Sequence, residues 1–339
     1  MATVAVLGAG AWGTAIAAVL APRHRVSLWA RDPEQARAIA GARRNARYLP
    51  EISIPEALAV SSDFDAATGG AQLLLGATPV AGLRELCGRI AARRTAAANA
   101  SPPDAKVPLV WLCKGFEEQS GLLPHQIVEA ELGASYPCGA LSGPSFALEV
   151  AKGLPCALTL ASRYAERARA LAVLLHGGRL RIYHSADLLG VEIGGAVKNV
   201  MAIAVGISDG LGLGQNARAA LITRGLAEIA RLGLALGCSA ETLMGLSGAG
   251  DLILTSTGDL SRTRRVGIEL AHGRALAAIV ADLGHVAEGV RSAREVAKLA
   301  AHHGVEMPVS DAVLGVLEDR LTPPQAVEQL LAREAKSEA

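Results

Sequence analysis

The sequence predicts a doubly wound α/β domain followed by an all-helical one, and three observations carry that prediction. Short β-branched apolar runs alternate with longer helical stretches through the first half of the chain. A glycine-rich turn stands directly after the first of those runs. Beyond about residue 187 the strand-like runs stop and helical patterns punctuated by glycine take over. The predicted domains are residues 1–186 and 187–335 of a 339-residue chain, each long enough to bury a core of its own.

The first element, Thr3 to Leu7, is apolar without alternation, as a strand buried on both faces must be. Residues 2–22 carry no charge, yet no positive residues precede them and glycines interrupt them at 8, 10 and 13. A water-soluble chain is therefore expected rather than a signal peptide or a membrane span. Gly8-Ala9-Gly10-Ala11-Trp12-Gly13 then opens the apolar helix Thr14 to Leu20. The first glycine permits the tight turn, the second lets a pyrophosphate approach the backbone, and the third lets helix and strand pack closely, so a dinucleotide is expected at the helix start.

The next strand, Val26 to Trp29, runs into Arg31-Asp32-Pro33-Glu34. That is a helix start, with the aspartate as cap and proline in the first turn. Arg31 is then available to a ribose 2′-phosphate, which favours NADP over NAD; the alternative is a solvated surface arginine. Strands at Leu73 to Ala77, Val107 to Leu112, Gly139 to Leu141, Cys156 to Leu160 and Leu180 to Tyr183 continue the sheet, and the stretch from Ala91 to Pro108 reads as an exposed helix end and loop. Polar groups stand at the carboxyl ends of two of these strands, where ligands of open sheets collect. They are Lys114-Gly115 and the turn Gly143-Pro144-Ser145-Phe146-Ala147, whose N–H groups and hydroxyl can face an anion.

Lys198 is the only charge between Ile193 and Ser208, and the chain has only six lysines among 33 lysines and arginines. Desolvation disfavours an ammonium, which suits a buried lysine to donate a proton; the alternative is a lysine whose stem packs while its head reaches water. Asn216 is the expected cap of a helix that ends near Leu236 at Gly237, with Leu221, Ile222, Leu226 and Ile229 as its apolar face. Gly248-Ala249-Gly250-Asp251 offers a carboxylate, as a ligand or as the cap of the next helix. Ser261-Arg262-Thr263-Arg264-Arg265 places cations at a helix start, the arrangement of a phosphate site, although charge runs are also commonly solvated. Residues after Arg333 read as a frayed tail.

Composition narrows the function. A net charge of +1 and 3% aromatic residues disfavour nucleic acid as a partner. Five scattered cysteines without CxxC spacing indicate neither a disulfide framework nor a zinc site and fit a reducing cytoplasm. His302 and His303 point in different directions on a helix, which suits a surface rather than a metal.

In their order, Gly8 to Gly13, Lys114-Gly115, Gly143 to Ala147, Gly194 to Val200, Asn216-Ala217-Arg218 through Thr223-Arg224-Gly225, Gly248 to Asp251, Ser261-Arg262 and Glu288-Gly289 resemble the motifs of the NAD(P)-dependent glycerol-3-phosphate dehydrogenase family over nearly the whole chain. The resemblance implies an α/β Rossmann-type N-terminal domain and an all-α C-terminal domain like that of 6-phosphogluconate dehydrogenase. It implies reversible reduction of dihydroxyacetone phosphate to sn-glycerol 3-phosphate with NADP or NAD, in the cytoplasm, for glycerophospholipid synthesis.

Position by position, the resemblance makes Lys198 the catalytic acid/base and puts Lys114, Gly143, Ser145, Asp251, Ser261, Arg262 and Thr263 around the substrate. It puts Gly8, Gly10, Ala11, Trp12, Gly13, Arg31, Lys114, Ala147, Arg262, Val286 and Glu288 around the cofactor. Two departures stand out: Thr263 replaces a common asparagine, and Thr78-Pro79-Val80 replaces the usual valine-proline-serine. A homodimer is the expected assembly. The rival readings are a β-hydroxyacid or 6-phosphogluconate type dehydrogenase, separable by its substrate, and a non-catalytic nucleotide sensor, against which Lys198 argues.

Overall fold

A computed structural model of the chain describes residues 1–98, 106–283 and 288–333. The first unit, Met1–Leu188, holds the strands β1 (Thr3–Leu7), β2 (Arg25–Trp29), β3 (Arg44–Asn45), β4 (Leu49–Ser53), β5 (Ala59–Ser61), β6 (Leu73–Gly76), β7 (Leu109–Trp111), β8 (Cys138–Ser142), β9 (Cys156–Ala161) and β10 (Leu180–Ser185). Helices α1 (Ala11–Leu20), α2 (Pro33–Ala42), α3 (Phe64–Thr68), α4 (Leu83–Ala98), α5 (Pro124–Leu132), α6 (Ala147–Ala151) and α7 (Ala165–Leu175) accompany them.

Eight strands form one sheet in the order β10-β9-β8-β7-β6-β1-β2-β5. All neighbours are parallel except β8 and β9, which run antiparallel from Ala140 opposite Ala161 to Ser142 opposite Thr159. The strand order reverses at β1, which lies between β2 and β6. Such a switch point opens a crevice beyond the carboxyl ends of the strands. Val4 to Leu7 are fully buried, which is why β1 reads as an unbroken apolar run. The core on which the glycine turn rests includes Val4, Val6, Ile16, Leu20, Leu28, Leu73 and Leu75.

The second unit, Leu189–Ala339, is helical throughout its described residues. It comprises α8 (Leu188–Gly210), α9 (Gly214–Ala235), α10 (Ala240–Met244), α11 (Asp251–Thr257), α12 (Arg262–Ala271), α13 (Leu276–Leu283), α14 (Glu288–His302), α15 (Pro308–Leu317) and α16 (Pro323–Leu331). Helix α8 is long and apolar enough to cross a membrane, but 94% of its most apolar window is buried within the protein. A helix apolar on all faces is also the form of a core helix. No other helix among the described residues meets that length and apolarity.

Two sequence expectations need correction here. Asn216 does not cap α9: the chain enters the helix from Gly212 and Gly214, both in the left-handed region (φ +71° and +86°), so the helix starts three residues earlier with Leu213 as N-cap. Its buried face is Gly225, Glu228, Ile229, Leu232 and Gly233, whereas Leu221, Ile222 and Leu226 are only half-buried. The far end follows the expectation, with Gly237 at φ +84° just past the last turn. His302 and His303 are exposed. Val286, the middle of the Ala91 to Pro108 stretch and the tail after Arg333 lie outside the described residues.

Candidate active site

In the first unit the glycine turn leaves β1 at the switch point. Gly8 has φ +128°, and a Cβ there would stand 2.6 Å from the Ala77 carbonyl oxygen at the end of β6. A Cβ on Gly13 would stand 1.9 Å from the Gly8 carbonyl oxygen, so α1 can pack this close only without a side chain. Gly10 differs, because a Cβ on it would meet nothing within 4 Å. It is the N-cap of α1 and contributes no side-chain cap. Open space in front of an uncapped helix start suits an anion. Ala11 and Trp12 begin that helix half-buried.

Two residues that the sequence does not single out hold the turn. Asn45 is buried and donates from Nδ2 to the Ala9 carbonyl at 3.0 Å and to Thr14 Oγ1 at 2.8 Å. Gln35 Nε2 donates to the same carbonyl at 2.9 Å. Asp32 caps α2, accepting from the Glu34 N–H at 2.8 Å, as the sequence predicts. Arg31 is exposed and meets Glu85 at 3.3 Å. Thr78 follows Ala77, and its Oγ1 is buried without a hydrogen-bond partner.

At the carboxyl ends of β7 and β8 the fold brings Lys114, Gly143 and Ser145 together. Lys114 Nζ donates to the Gly143 carbonyl at 3.2 Å, and Ser145 Oγ donates to the same oxygen at 3.1 Å. Gly143 has φ +136° and presses against Leu158 and Ala157 on β9. The loop after Lys114 is anchored by Glu117, which accepts from Arg84 Nε at 2.8 Å and Nη2 at 2.7 Å. The Arg84 guanidinium holds the Glu117 carboxyl below the usual carboxylate range. Ala147, half-buried, is the first residue of α6.

In the second unit Lys198 sits on α8 with 7% of its surface exposed, and its Nζ donates to Asp251 Oδ1 at 2.8 Å and to Thr255 Oγ1 at 2.7 Å. Asp251, 2% exposed, is not a cap: it is the first residue of α11, and a π-helical turn at Leu246–Gly250 delivers it. That turn fits because a Cβ on Gly194 would stand 2.8 Å from the Ser247 carbonyl oxygen. Burial of a paired ammonium and carboxylate is costly unless geometry is good, and here both partners are hydrogen-bonded. Sequence reading found Lys198 and Asp251 but missed Thr255. Its signal is the spacing of four from Asp251, which stacks both oxygens on one helical face.

Ser261 is buried and caps α12, its Oγ accepting from the Arg264 N–H at 3.2 Å. Arg262 is the exposed first residue of the helix and Thr263 the half-buried second. Their N–H groups belong to the first turn, which has no intrahelical acceptors. Arg264 does not join them: its Nε donates to Asp209 Oδ2 at 2.6 Å. The expected phosphate-binding cluster of arginines is thus split, because one is drawn into an ion pair beneath the helix. Glu288 begins α14, and a Cβ on Gly289 would stand 2.7 Å from the Asn199 carbonyl oxygen and 2.9 Å from Thr263 Cγ2. The start of α14 is therefore seated on both the residue after Lys198 and the start of α12.

Known proteins match this arrangement along its length. The model of the NAD-dependent glycerol-3-phosphate dehydrogenase N-terminus matches residues 3–168, and that of the C-terminus matches residues 187–328. The chain is 56% identical over 335 residues to a glycerol-3-phosphate dehydrogenase [NAD(P)+] of Dechloromonas aromatica, covering 99% of each. It is 57% identical over 336 residues to one of Aromatoleum aromaticum, again covering 99% of each. The crystal structure of glycerol-3-phosphate dehydrogenase from Coxiella burnetii superposes with a TM-score of 0.89 at 42% identity, covering 98% of this chain and 99% of that one.

Proposed function

The chain belongs to the NAD-dependent glycerol-3-phosphate dehydrogenase family, and from that membership we propose how its residues divide the work of interconverting dihydroxyacetone phosphate and sn-glycerol 3-phosphate. The reaction uses NADP or NAD, which when bound supplies the hydride for the ketone carbon. The residues of the first unit fit such a cofactor. Gly10 leaves open space before the start of α1 for a pyrophosphate, and the unpartnered Thr78 hydroxyl lies buried beside the same turn.

The observation that carries the mechanism is the buried Lys198 Nζ held between Asp251 and Thr255. As the ketone is reduced, negative charge develops on its oxygen. Lys198 donates a proton to that oxygen and takes it back in the oxidative direction, while Asp251 and Thr255 keep Nζ aimed. Lys114, with Gly143 and Ser145, contributes positive charge and dipoles to the substrate. Ser261, Arg262 and the N–H groups of Arg262 and Thr263 grip the phosphate, so that binding energy away from the reacting carbon orients it. Ala11, Trp12, Ala147, Val286 and Glu288 complete the cofactor contacts in this reading.

NADP is the favoured coenzyme. Asp32 is committed to capping α2, and the exposed Arg31–Glu85 pair is of a kind worth little, so Arg31 can exchange Glu85 for a 2′-phosphate. Supply of glycerol phosphate for phospholipids, in a cytoplasm that keeps the five scattered cysteines reduced, is the cellular role assigned. Exposed Leu213, Leu234, Met244, Ile253 and Leu260 support a homodimer through the second unit.

The test is the initial rate of NADPH and NADH oxidation with dihydroxyacetone phosphate. Lys198→Ala is expected to lose a factor of about 10² to 10⁴ while still binding NADPH, and Arg31→Ala is expected to narrow the preference for NADPH. Turnover by Lys198→Ala close to wild type would remove the lysine from the chemistry.

A further inference from the structure

The start of α12 carries three arginines, and the structure treats them differently. Arg262 is exposed at the first helical position. Arg265 is also exposed, reaching Glu269 at 3.8 Å. Arg264 turns inward, its side chain 12% exposed, and meets Asp209 Oδ2 at 2.6 Å. The other oxygen of Asp209 accepts from Arg218 Nε at 2.8 Å, and Arg218 Nη2 forms an ion pair with the same oxygen at 2.8 Å. Asp209 stands in the last turn of α8, Arg218 in the early turns of α9 and Arg264 in the first turn of α12. A single carboxylate, 8% exposed, therefore joins three helices.

This junction closes a crossing of unusual intimacy. A Cβ on Gly206 would stand 2.0 Å from the Arg264 carbonyl oxygen, one on Gly267 would stand 2.1 Å from the Ile203 carbonyl oxygen, and one on Gly210 would stand 2.7 Å from Ala271 Cβ. Helices α8 and α12 thus meet backbone to backbone along a row spaced by three and four residues. Close approach sets the separation of two helices, but glycine rows offer few side chains to resist sliding or rotation. The bond from Arg264 to Asp209 supplies that resistance at the end of α12 that bears Ser261 and Arg262. Lys198 lies on the same helix as Asp209, eleven residues earlier, a rigid span of roughly 16 Å at 1.5 Å per residue.

We propose that Asp209 is a positioning residue for the substrate's phosphate: it locks the start of α12 onto α8, and so sets Ser261 and Arg262 at a fixed distance from the proton donor Lys198. It also pairs with Arg264, whose Nη1 meets Asp259 at 3.4 Å, and the two carboxylates keep that guanidinium from drawing the anion inward from Arg262. The inference rests on the reading that Ser261 and Arg262 hold the phosphate, and the experiment separates the two.

Kinetics with dihydroxyacetone phosphate and with dihydroxyacetone, which lacks the phosphate, are measured at high enzyme concentration for the wild type, Arg262→Ala and Asp209→Asn, with the thermal unfolding midpoint as the check on folding. Asp209→Asn is expected to lower kcat/KM for the phosphorylated substrate by about 10- to 100-fold, mostly through KM, and to leave dihydroxyacetone within about threefold, since a misplacement near 1 Å costs up to about that much. Arg262→Ala is expected to show the same selectivity more strongly. If Arg262→Ala is selective and Asp209→Asn affects both substrates equally or neither, the positioning role is overturned and the phosphate reading stands. If Arg262→Ala shows no selectivity, the phosphate reading falls and takes the role of Asp209 with it. Should Asp209→Asn not fold, Arg264→Lys carries the test: it keeps the charge, loses the fixed fork, and is expected to be selective in the same direction.

Discussion

Lys198 is aimed by two acceptors on one helix, Asp251 and Thr255, and these have different chemistry. Asp251 is charged and balances the ammonium, whereas Thr255 supplies only direction. Thr255→Val keeps the shape of the side chain and removes one hydrogen bond to a charged group, worth about 1.5–3 kcal/mol. The expected result is a kcat for dihydroxyacetone phosphate lower by about 10- to 100-fold at unchanged NADPH affinity. An unchanged kcat would mean that Asp251 alone aims the lysine. Lys198 was legible in the sequence because a single charge inside an apolar run is conspicuous, and Asp251 because it follows a glycine motif. Thr255 was not, since its partner lies 57 residues away and its one local mark, the spacing of four from Asp251, gains meaning only once Asp251 faces the lysine.

Among elements, the joint between α9 and α15 shows a cap supplied from a distance. Helix α15 begins with proline after Met307, which provides no side-chain cap. Glu228 of α9 takes over, accepting from the Val309 N–H at 2.7 Å and from the Ser310 N–H and Oγ at 3.1 Å. Burial nevertheless dominates and raises the Glu228 carboxyl above its ordinary value of 4.5, against the lowering by those hydrogen bonds. A carboxyl whose value is raised on folding contributes stability below the unfolded value and loses it as pH rises through the folded one. The wild-type unfolding temperature, relative to that of Glu228→Gln, is therefore expected to fall as pH rises from about 4.5 towards neutrality. Parallel profiles for the two proteins would exclude this titration. The sequence presented residue 228 as one more polar position on a helix, and only the arrival of α15 makes it an internal cap.

At the scale of the whole molecule, each unit buries its own core, and the cysteines are dispersed through both. Cys87, Cys156 and Cys238 are buried, and Cys113 and Cys138 are half-buried. Burial pushes the Cys87 thiol up to about 12, so its thiolate is scarce at neutral pH. A thiol reagent is expected to modify at most Cys113 and Cys138 within minutes in the native protein and all five cysteines in denaturant without reductant. Fast modification of three or more would contradict the burial, and fewer than five in denaturant would reveal a disulfide. The sequence by itself determined the alternation of buried strands and helices, the change to helices near residue 187, the glycine turn and the lone lysine. Each of these is written in a short window, as an apolar run, a period, or a backbone conformation that only glycine takes easily. It did not disclose the short strands β3, β4 and β5, whose mixed exposure leaves little apolar signal. Nor did it disclose Asn45 behind the glycine turn, Thr255 beside Lys198 or Asp209 beneath Arg264. Only the tertiary structure decided those, because the partners Thr14, Lys198 and Arg264 lie 31 to 57 residues away in the chain and a buried polar group acquires its meaning from whichever donor or acceptor folding brings to it.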